Sequence, residues 1–96
     1  MTRTLQAEDF EKQLNQPVRF SREDVDFEAT ISLVDRYEQK SLGERENFAV
    51  VFCTGTSEVR SQQTYTMEHP EIGTHHVFIV PIGPDDNGMR YEAVFS

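Results

Sequence analysis

The sequence has no tryptophan and a single cysteine, Cys53. One cysteine cannot form an internal disulfide, so we expect a fold that does not depend on an oxidising compartment. The start of the chain, MTRTLQAEDF, contains no apolar segment of signal-peptide length, and no run approaches the roughly 18 to 20 apolar residues of a membrane span. These absences predict a soluble, cytoplasmic protein with no membrane partner.

Basic residues are also scarce. Nine Lys and Arg stand against 17 Asp and Glu, which gives a formal net charge of −8. Affinity for nucleic acid depends on Lys and Arg that displace counterions from phosphates, so this charge argues against a nucleic-acid partner. Imitation of DNA by an acidic surface is the alternative, although moderate acidity usually serves only solubility.

The length and composition predict a single domain over residues 1–96. Chains of this size bury roughly 60 to 65% of the surface that the unfolded chain exposes, which suffices for one core without a metal or disulfide. Hydrophobic residues make up 36% of the chain and charged residues 27%, and seven Phe supply large apolar groups. Such a composition is typical of a globular domain and not of a disordered segment.

Helical spacing is confined to the start of the chain. In QAEDFEKQLN the apolar residues Ala7, Phe10 and Leu14 recur at that spacing, acidic residues lie toward the N-terminal end, and Pro17 follows. This pattern predicts one short amphipathic helix. An extended arm is the alternative, because a helix of under about 12 residues is marginal without packing.

After Pro17 the apolar period changes to two, which is typical of strands. VRFS places Val18 and Phe20 on one side of the first strand. The next segment, FEATISLVDRY, has the predicted inward residues Phe27, Ala29, Ile31, Leu33 and Tyr37. The polar segment EQKSLGERE that follows is the predicted tip loop of the domain.

Four more segments complete a set of six strands. FAVVFC and HVFIVPI are apolar on both faces, with Phe48, Val50, Phe52 and Phe78, Val80, Ile82 on one side, and this indicates central strands that are covered on both sides. TYTMEH and MRYEAVF alternate more cleanly. Their predicted inward residues are Tyr65, Met67, Met89, Tyr91, Ala93 and Phe95.

Turn residues predict how these strands are connected. HPEIG contains Pro70 and Gly73 between two strands, and PDDNG contains Asn87-Gly88, a strong signal for a hairpin. Strands linked mainly by short turns predict a mainly β fold. We expect a six-stranded antiparallel meander rolled into a small barrel or half-barrel, with the short N-terminal helix over an open end or a second face.

Several of these segments resemble a family of short bacterial proteins that is catalogued as a domain of unknown function. The resemblance is carried by QTYTMEHPEIG, FIVPIG and YEAVF, together with the early DF and the apolar FAVVF. It covers nearly the whole chain and rests on turn and core residues. The resemblance implies at most a structural or assembly role in a phage-tail-like context. The sequence departs from the family's pattern ahead of the tyrosine, where it has Gln62-Gln63-Thr64 and the pattern has Gln-Gly.

All three histidines fall within TYTMEHPEIGTHHVFIVP, which raises the question of a metal site. His69, Glu71 and His75 are the candidate ligands. His75 and His76 would point to opposite faces of a strand, and the zinc-binding patterns HExxH and HxH are absent. We therefore predict a hairpin whose histidines form hydrogen bonds, with neither a metal nor another cofactor.

The sequence contains no catalytic motif. Cys53 ends an apolar strand, where a free cysteine usually behaves as a small hydrophobe, and Ser57 lacks the context of a nucleophile elbow. We therefore expect a protein without enzymatic activity.

The surplus of apolar strand surface predicts a non-catalytic interaction or assembly module. It would bind a protein partner, or form a homo-oligomer, through an apolar sheet face or a strand edge. The alternative is a small-ligand-binding barrel or a metal-dependent hydrolase that uses the region from His69 to His76.

Overall fold

The computed structural model describes residues 5–36 and 47–95. Tyr37 and the predicted tip loop EQKSLGERE lie outside these ranges. The elements in chain order are α1 (Ala7–Glu11), β1 (Pro17–Arg22), β2 (Val25–Arg36), β3 (Phe48–Cys53), β4 (Gln63–His69), β5 (Gly73–Asp85) and β6 (Gly88–Phe95). No helix in the described ranges has the length and hydropathy that crossing a membrane requires.

The six strands form one antiparallel sheet that closes into a ring, in the order β1-β2-β3-β6-β5-β4. This confirms the predicted mainly β fold with one short helix. The strand order differs from that of one continuous meander, because β3 lies beside β6, and β4 lies beside β1. Residues 54–62 carry the chain from β3 to β4 across one end of the ring, so two three-stranded meanders share the sheet.

The ring encloses a core built by alternation along the strands. In β1, Val18 and Phe20 are buried, as the period of two predicts. The predicted inward residues of β4 and β6 are buried or packed against the core, namely Tyr65, Met67, Met89, Tyr91, Ala93 and Phe95. Aromatic side chains pack against one another in this core; the ring centroids of Phe20 and Phe52, for example, are 5.0 Å apart.

Helix α1 packs against β2 and β3 and inserts Phe10 into the core. The Phe10 ring lies 5.4 Å from that of Phe95 and 6.0 Å from that of Phe48, centroid to centroid. The prediction that Leu14 belongs to the same buried face was wrong, since Leu14 is 40% exposed. The helix ends at Glu11, and Asn15 adopts a positive φ of 69° that redirects the chain into β1.

A bulge in β2 overturns another expected position. The register shifts between Ile31, which pairs with Phe52, and Leu33, which pairs with Val51. One extra residue reverses the faces of all that follow, so Leu33 points outward and Val34 packs against the core instead. A strict period of two cannot anticipate such an insertion.

The two strands with apolar residues on both faces differ in burial. In β3 the residues of both faces are buried from Phe48 to Phe52, as predicted. In β5 the prediction of cover on both sides was wrong, since Phe78 is 52% and Ile82 37% exposed. The helix covers β2 and β3, and no described helix packs against β5.

Candidate functional site

The segment with the three histidines forms the predicted hairpin. β4 and β5 pair from Gln63–Ile79 to His69–Gly73, and Gly73 has a positive φ of 98°. The side chain of His69 closes the turn, because its Nδ1 accepts the backbone N–H groups of Glu71 at 2.9 Å and Ile72 at 3.2 Å. His69 therefore satisfies two donors that the turn would otherwise leave without a partner.

The other two histidines also have hydrogen-bond partners. His75 Nε2 lies 3.0 Å from the carbonyl oxygen of Ile72, and His76 Nδ1 lies 3.3 Å from Oγ1 of Thr66. Across residues 5–36 and 47–95, no group of three or more His, Cys, Asp or Glu side chains is placed to hold a metal ion. The hydrogen bonds of His69 and His75, two of the candidate metal ligands, join them to backbone atoms of the turn.

The interior of the ring leaves little room for a ligand. Large side chains with almost no solvent exposure fill it, including Phe20, Phe52, Met67, Ile79 and Tyr91. A ring of six strands is narrower than the eight-stranded barrels that hold one small molecule, and its centre is filled by side chains. Among the described residues, a binding surface is therefore expected on the outside of the ring and not in its interior.

Cys53 lies half-buried at the end of β3. Its Sγ is 3.9 Å from Oδ1 of Asp85, to which the thiol donates a weak hydrogen bond. Asp85 also accepts the N–H of Asn87 and so shapes the β5–β6 turn. The thiol therefore lies beside a turn-forming carboxylate whose other oxygen is 4.0 Å from Nε of Arg90.

The outer surface of the ring carries an apolar patch across four neighbouring strands. Its residues, which we name the apolar outer face, are Leu33, Ala49, Val51, Phe78, Val80 and Val94. Leu33 pairs with Val51 across the β2–β3 ladder, and Ala49 pairs with Val94 across the β3–β6 ladder. Phe78 and Val80 extend the patch along the outward side of β5.

Burial varies across this patch in a regular way. Ala49 and Val51 in the middle are 1% and 7% exposed, whereas Leu33 and Val94 on either side are 54% and 60% exposed. Small residues on the central strand thus form a floor between taller side chains. Ala49 and Val51 are buried without belonging to the interior core cluster, which places them on the outer side.

Two acidic residues lie among the aliphatic residues of the apolar outer face. Asp35 pairs with Ala49 on β3, and Glu92 pairs with both Val51 and Val80. Cross-strand partners share a face, so both carboxylates lie on the same side of the sheet as the aliphatic residues. The patch therefore has one carboxylate at its β2 side, Asp35, and one between Val51 and Val80, Glu92.

Sequence reasoning missed a second feature, a cleft on the opposite side of the ring. Arg22 and Arg60 both line it, although they lie far apart in the chain. Neither residue belongs to a motif, so only the approach of the β1–β2 hairpin to the 54–62 loop reveals the pair.

The family of this chain is shown by a match to one family model. The model of a family described as Domain of unknown function (DUF6916) matches residues 5–95, which span every helix and strand of the structure. The chain belongs to this family. The predicted membership of a family catalogued as a domain of unknown function is thereby confirmed. Searches among curated proteins and among solved structures found no match to the chain.

Proposed function

We propose that this DUF6916 domain is a non-catalytic interaction or assembly module and that its apolar outer face binds another protein. The observation that carries the proposal is the exposure of Leu33, Phe78 and Val94, at 54%, 52% and 60%, on the outer side of the neighbouring strands β2, β3, β6 and β5. Single exposed hydrophobic residues are ordinary on protein surfaces. A connected patch rimmed by polar groups is typical of an interaction site.

A sheet face suits this chain better than a strand edge. Ring closure gives each described strand two hydrogen-bonded neighbours, so β-strand addition has no free long edge to use. The exposed side chains of Leu33, Phe78 and Val94 offer an outer sheet surface instead. An aromatic or long aliphatic side chain from a partner would pack on them and remove apolar surface from water.

Charge favours a different protein over a second copy as the occupant. Two copies of the chain each carry a formal charge of −8, and a symmetric interface on this face would bring Asp35 and Glu92 of both copies into one contact area. A partner with apolar anchors fringed by Lys or Arg would complement both features. The phage-tail-like context implied by the sequence resemblance is compatible with such an assembly role.

A capture experiment with matched charge variants tests this proposal. The tagged domain, its Val94→Lys variant and its Thr74→Lys variant would be incubated with native host extract, and bound proteins identified by mass spectrometry. Both variants add one positive charge at an exposed strand position, but Thr74 lies beside Glu68 on the β4–β5 side of the ring. The wild type and Thr74→Lys should recover the same stoichiometric partner, and Val94→Lys should lose it.

Two outcomes would contradict the proposal. One is a partner recovered equally well by Val94→Lys, since the binding surface would then lie elsewhere. The other is a concentration-dependent dimer in analytical ultracentrifugation that Val94→Lys abolishes, because the face would then be occupied by a second copy. Unchanged amide NMR spectra away from position 94 would confirm that the variants remain folded.

A further inference from the structure

A cleft of about 230 Å³ opens between the β1–β2 hairpin, the 54–62 loop and the start of β4. The residues that line it and matter here are Arg22, Glu23, Val25, Val59, Arg60 and Tyr65, which we name the arginine cleft. Because β1 and β4 lie opposite β3 and β6 in the ring, the arginine cleft and the apolar outer face are on opposite sides.

The cleft exists because the β1–β4 ladder is short. Pairing runs from Arg19–Glu68 to Ser21–Thr66 and stops there. Glu23, with a positive φ of 54°, then turns the chain into β2. Beyond the last pair, Nη1 of Arg22 lies 3.5 Å from the carbonyl oxygen of Thr64 and donates to it. A guanidinium thus occupies the place where a strand partner would continue the ladder.

Arg60 is held from both its backbone and its side chain. Its N–H donates to the hydroxyl oxygen of Tyr91 at 2.6 Å, and its guanidinium carbon lies 5.0 Å from the ring centroid of Phe27. The hydroxyl of Tyr65 donates to the carbonyl oxygen of Ser61 at 2.8 Å, which anchors the next residue of the loop. A cation–π contact and two tyrosine hydrogen bonds therefore fix this part of the loop in advance of any ligand.

The charges of the cleft leave capacity for an anion. Other arginines have carboxylate partners, as in the pairs of Arg19 with Asp26 and Arg36 with Glu11. No described carboxylate lies within ion-pair distance of Arg22. Arg60 has Glu58 at 3.4 Å, but the Glu58 side chain is 64% exposed, so water weakens that pair.

The ionisation of Tyr65 reports the same arrangement. Burial, and then the neighbouring Tyr91, raise the pKa of the Tyr65 hydroxyl above its usual value, while the guanidinium groups of Arg60 and Arg22 oppose this rise. Both cations therefore act on the same point at the floor of the cleft, although Arg22 belongs to β1 and Arg60 to the 54–62 loop.

We propose that the arginine cleft binds a carboxylate that carries a short apolar stem. Two planar guanidinium groups match the geometry of a carboxylate. Glu23 in the lining and Glu58 beside Arg60 offset part of their charge, which favours a monoanion over a phosphate dianion. Val25 and Val59 supply apolar surface for the stem. The carboxylate can come from a peptide C-terminus or from a free small organic acid.

The test is an NMR titration that follows the side-chain Nε–H signals of Arg22 and Arg60 and the backbone amides. The probes are N-acetylvaline and N-acetylvaline amide, which differ in the carboxylate, with isobutyrate and inorganic phosphate added at the same ionic strength. We expect saturable shifts at both arginines with N-acetylvaline and none with the amide. Saturation by isobutyrate as well would assign the site to small organic acids, and saturation by N-acetylvaline alone to peptide termini.

Variants complete the test. Loss of one charge-assisted hydrogen bond should weaken binding about tenfold or more, so Arg22→Gln and Arg60→Gln should each raise the Kd of N-acetylvaline by that factor. Arg19→Gln, an exposed arginine with Asp26 as its partner, is the control and should change the Kd less than about twofold. If Arg60→Gln disturbs the fold, the Kd of N-acetylvaline for Arg22→Gln, a variant of an exposed residue, still tests the proposal. Equal shifts with the amide, saturation by phosphate alone, absence of saturation by either carboxylate, or an unchanged Kd in Arg22→Gln would overturn the proposal.

Discussion

On one side of the ring, β3 pairs with both β2 and β6 along its whole length, and on the opposite side β1 meets β4 over three residue pairs. The outward residues differ in the same sense. The β3 side carries Val51 and Val94, whereas the β1–β4 ladder carries Arg19 and Glu68 as cross-strand partners.

This difference teaches how one sheet supports two kinds of surface. Where the ladder is complete, the backbone has no unused hydrogen-bonding groups, and recognition depends on side-chain shape and apolar area. Where the ladder stops, backbone groups need polar partners, and Arg22 supplies one at Thr64. The surface that we propose for a protein partner lies on the closed side, and the cleft that we propose for a carboxylate lies on the interrupted side.

The largest expected effect on the free energy of unfolding is the difference between an inward and an outward residue of the β3 side. Phe52→Ala removes a fully buried ring that contacts Phe10 and Phe20, and we expect it to lower the free energy of unfolding by about 3 to 5 kcal/mol. Val94→Thr alters an exposed residue and should change the same quantity by less than about 0.5 kcal/mol. Urea denaturation followed by circular dichroism measures both. A similarly large loss in Val94→Thr would mean that the apolar outer face serves stability and not binding.

A smaller loss of stability is expected from Gly88→Ala, which lies against the 54–62 loop that links the two sides. Gly88 has a φ of 124°, and a Cβ placed there would lie 2.7 Å from the backbone N of Thr56 and 2.8 Å from the carbonyl carbon of Gly55. Gly88→Ala should therefore destabilise the domain by about 1 to 3 kcal/mol. It should also shift the amide signal of Arg60, because the start of the loop must move.

Gly83→Ala is the matched control for that change. Gly83 also has a positive φ, 104°, but no neighbouring atom lies within 4 Å of a Cβ placed there. Both variants place an alanine at a positive φ and share that backbone strain, but only Gly88→Ala adds a steric clash of the new Cβ with the 54–62 loop. Thermal denaturation of the two variants should give the lower Tm for Gly88→Ala. Equal Tm values would show that the close approach of Gly88 to the loop has no energetic weight.

The smallest effect concerns a solvent-accessible ion pair at the end of β2. Arg36 donates to both carboxylate oxygens of Glu11, at 2.7 and 2.8 Å. This hydrogen bonding lowers the pKa of Glu11 below its ordinary 4.5, although burial opposes the change. A lowered pKa contributes stability that is present above pH 4.5 and is lost as the pH falls through the folded value. Solvent screening limits the gain to less than about 1 kcal/mol.

Unfolding free energies measured between pH 6 and pH 3 would check this sign. The wild type should lose slightly more stability on acidification than Glu11→Gln, which lacks the titrating group. A steeper loss in Glu11→Gln would contradict the assignment. Arg36→Gln should reproduce the flatter profile, since it removes the partner that lowers the pKa.

Much of the fold followed from local pattern. Alternation located the inward residues of β1, β4 and β6, and the turn residues located both hairpins. The β5–β6 turn shows the limit of that signal. Asp85 pairs with Gly88 across the turn, and positive φ occurs at Gly88 but not at Asn87, so the Asn-Gly pair marks the hairpin without forming the turn type it usually favours.

The candidate sites followed from the sequence to a smaller extent. The hairpin with hydrogen-bonding histidines was predicted, and His69 does close its turn. The apolar surplus of FAVVFC and HVFIVPI predicted an apolar sheet face for binding, but alternation could not show that β5 stays uncovered while β3 is buried, because burial depends on which elements pack over a strand. Arg22 and Arg60 gave no signal, since their proximity depends on a loop crossing the end of the ring.

The sequence by itself determined the strands, the turns between them and most of the side chains that face the core, because alternation and turn chemistry act over a few neighbouring residues. The tertiary structure decided what depends on distant partners. It placed β3 beside β6 and β4 beside β1, turned Leu33 outward through a bulge, and brought two arginines to one cleft. The physical reason is that strand order and register are set by the packing of the whole ring, to which each short segment contributes only a part.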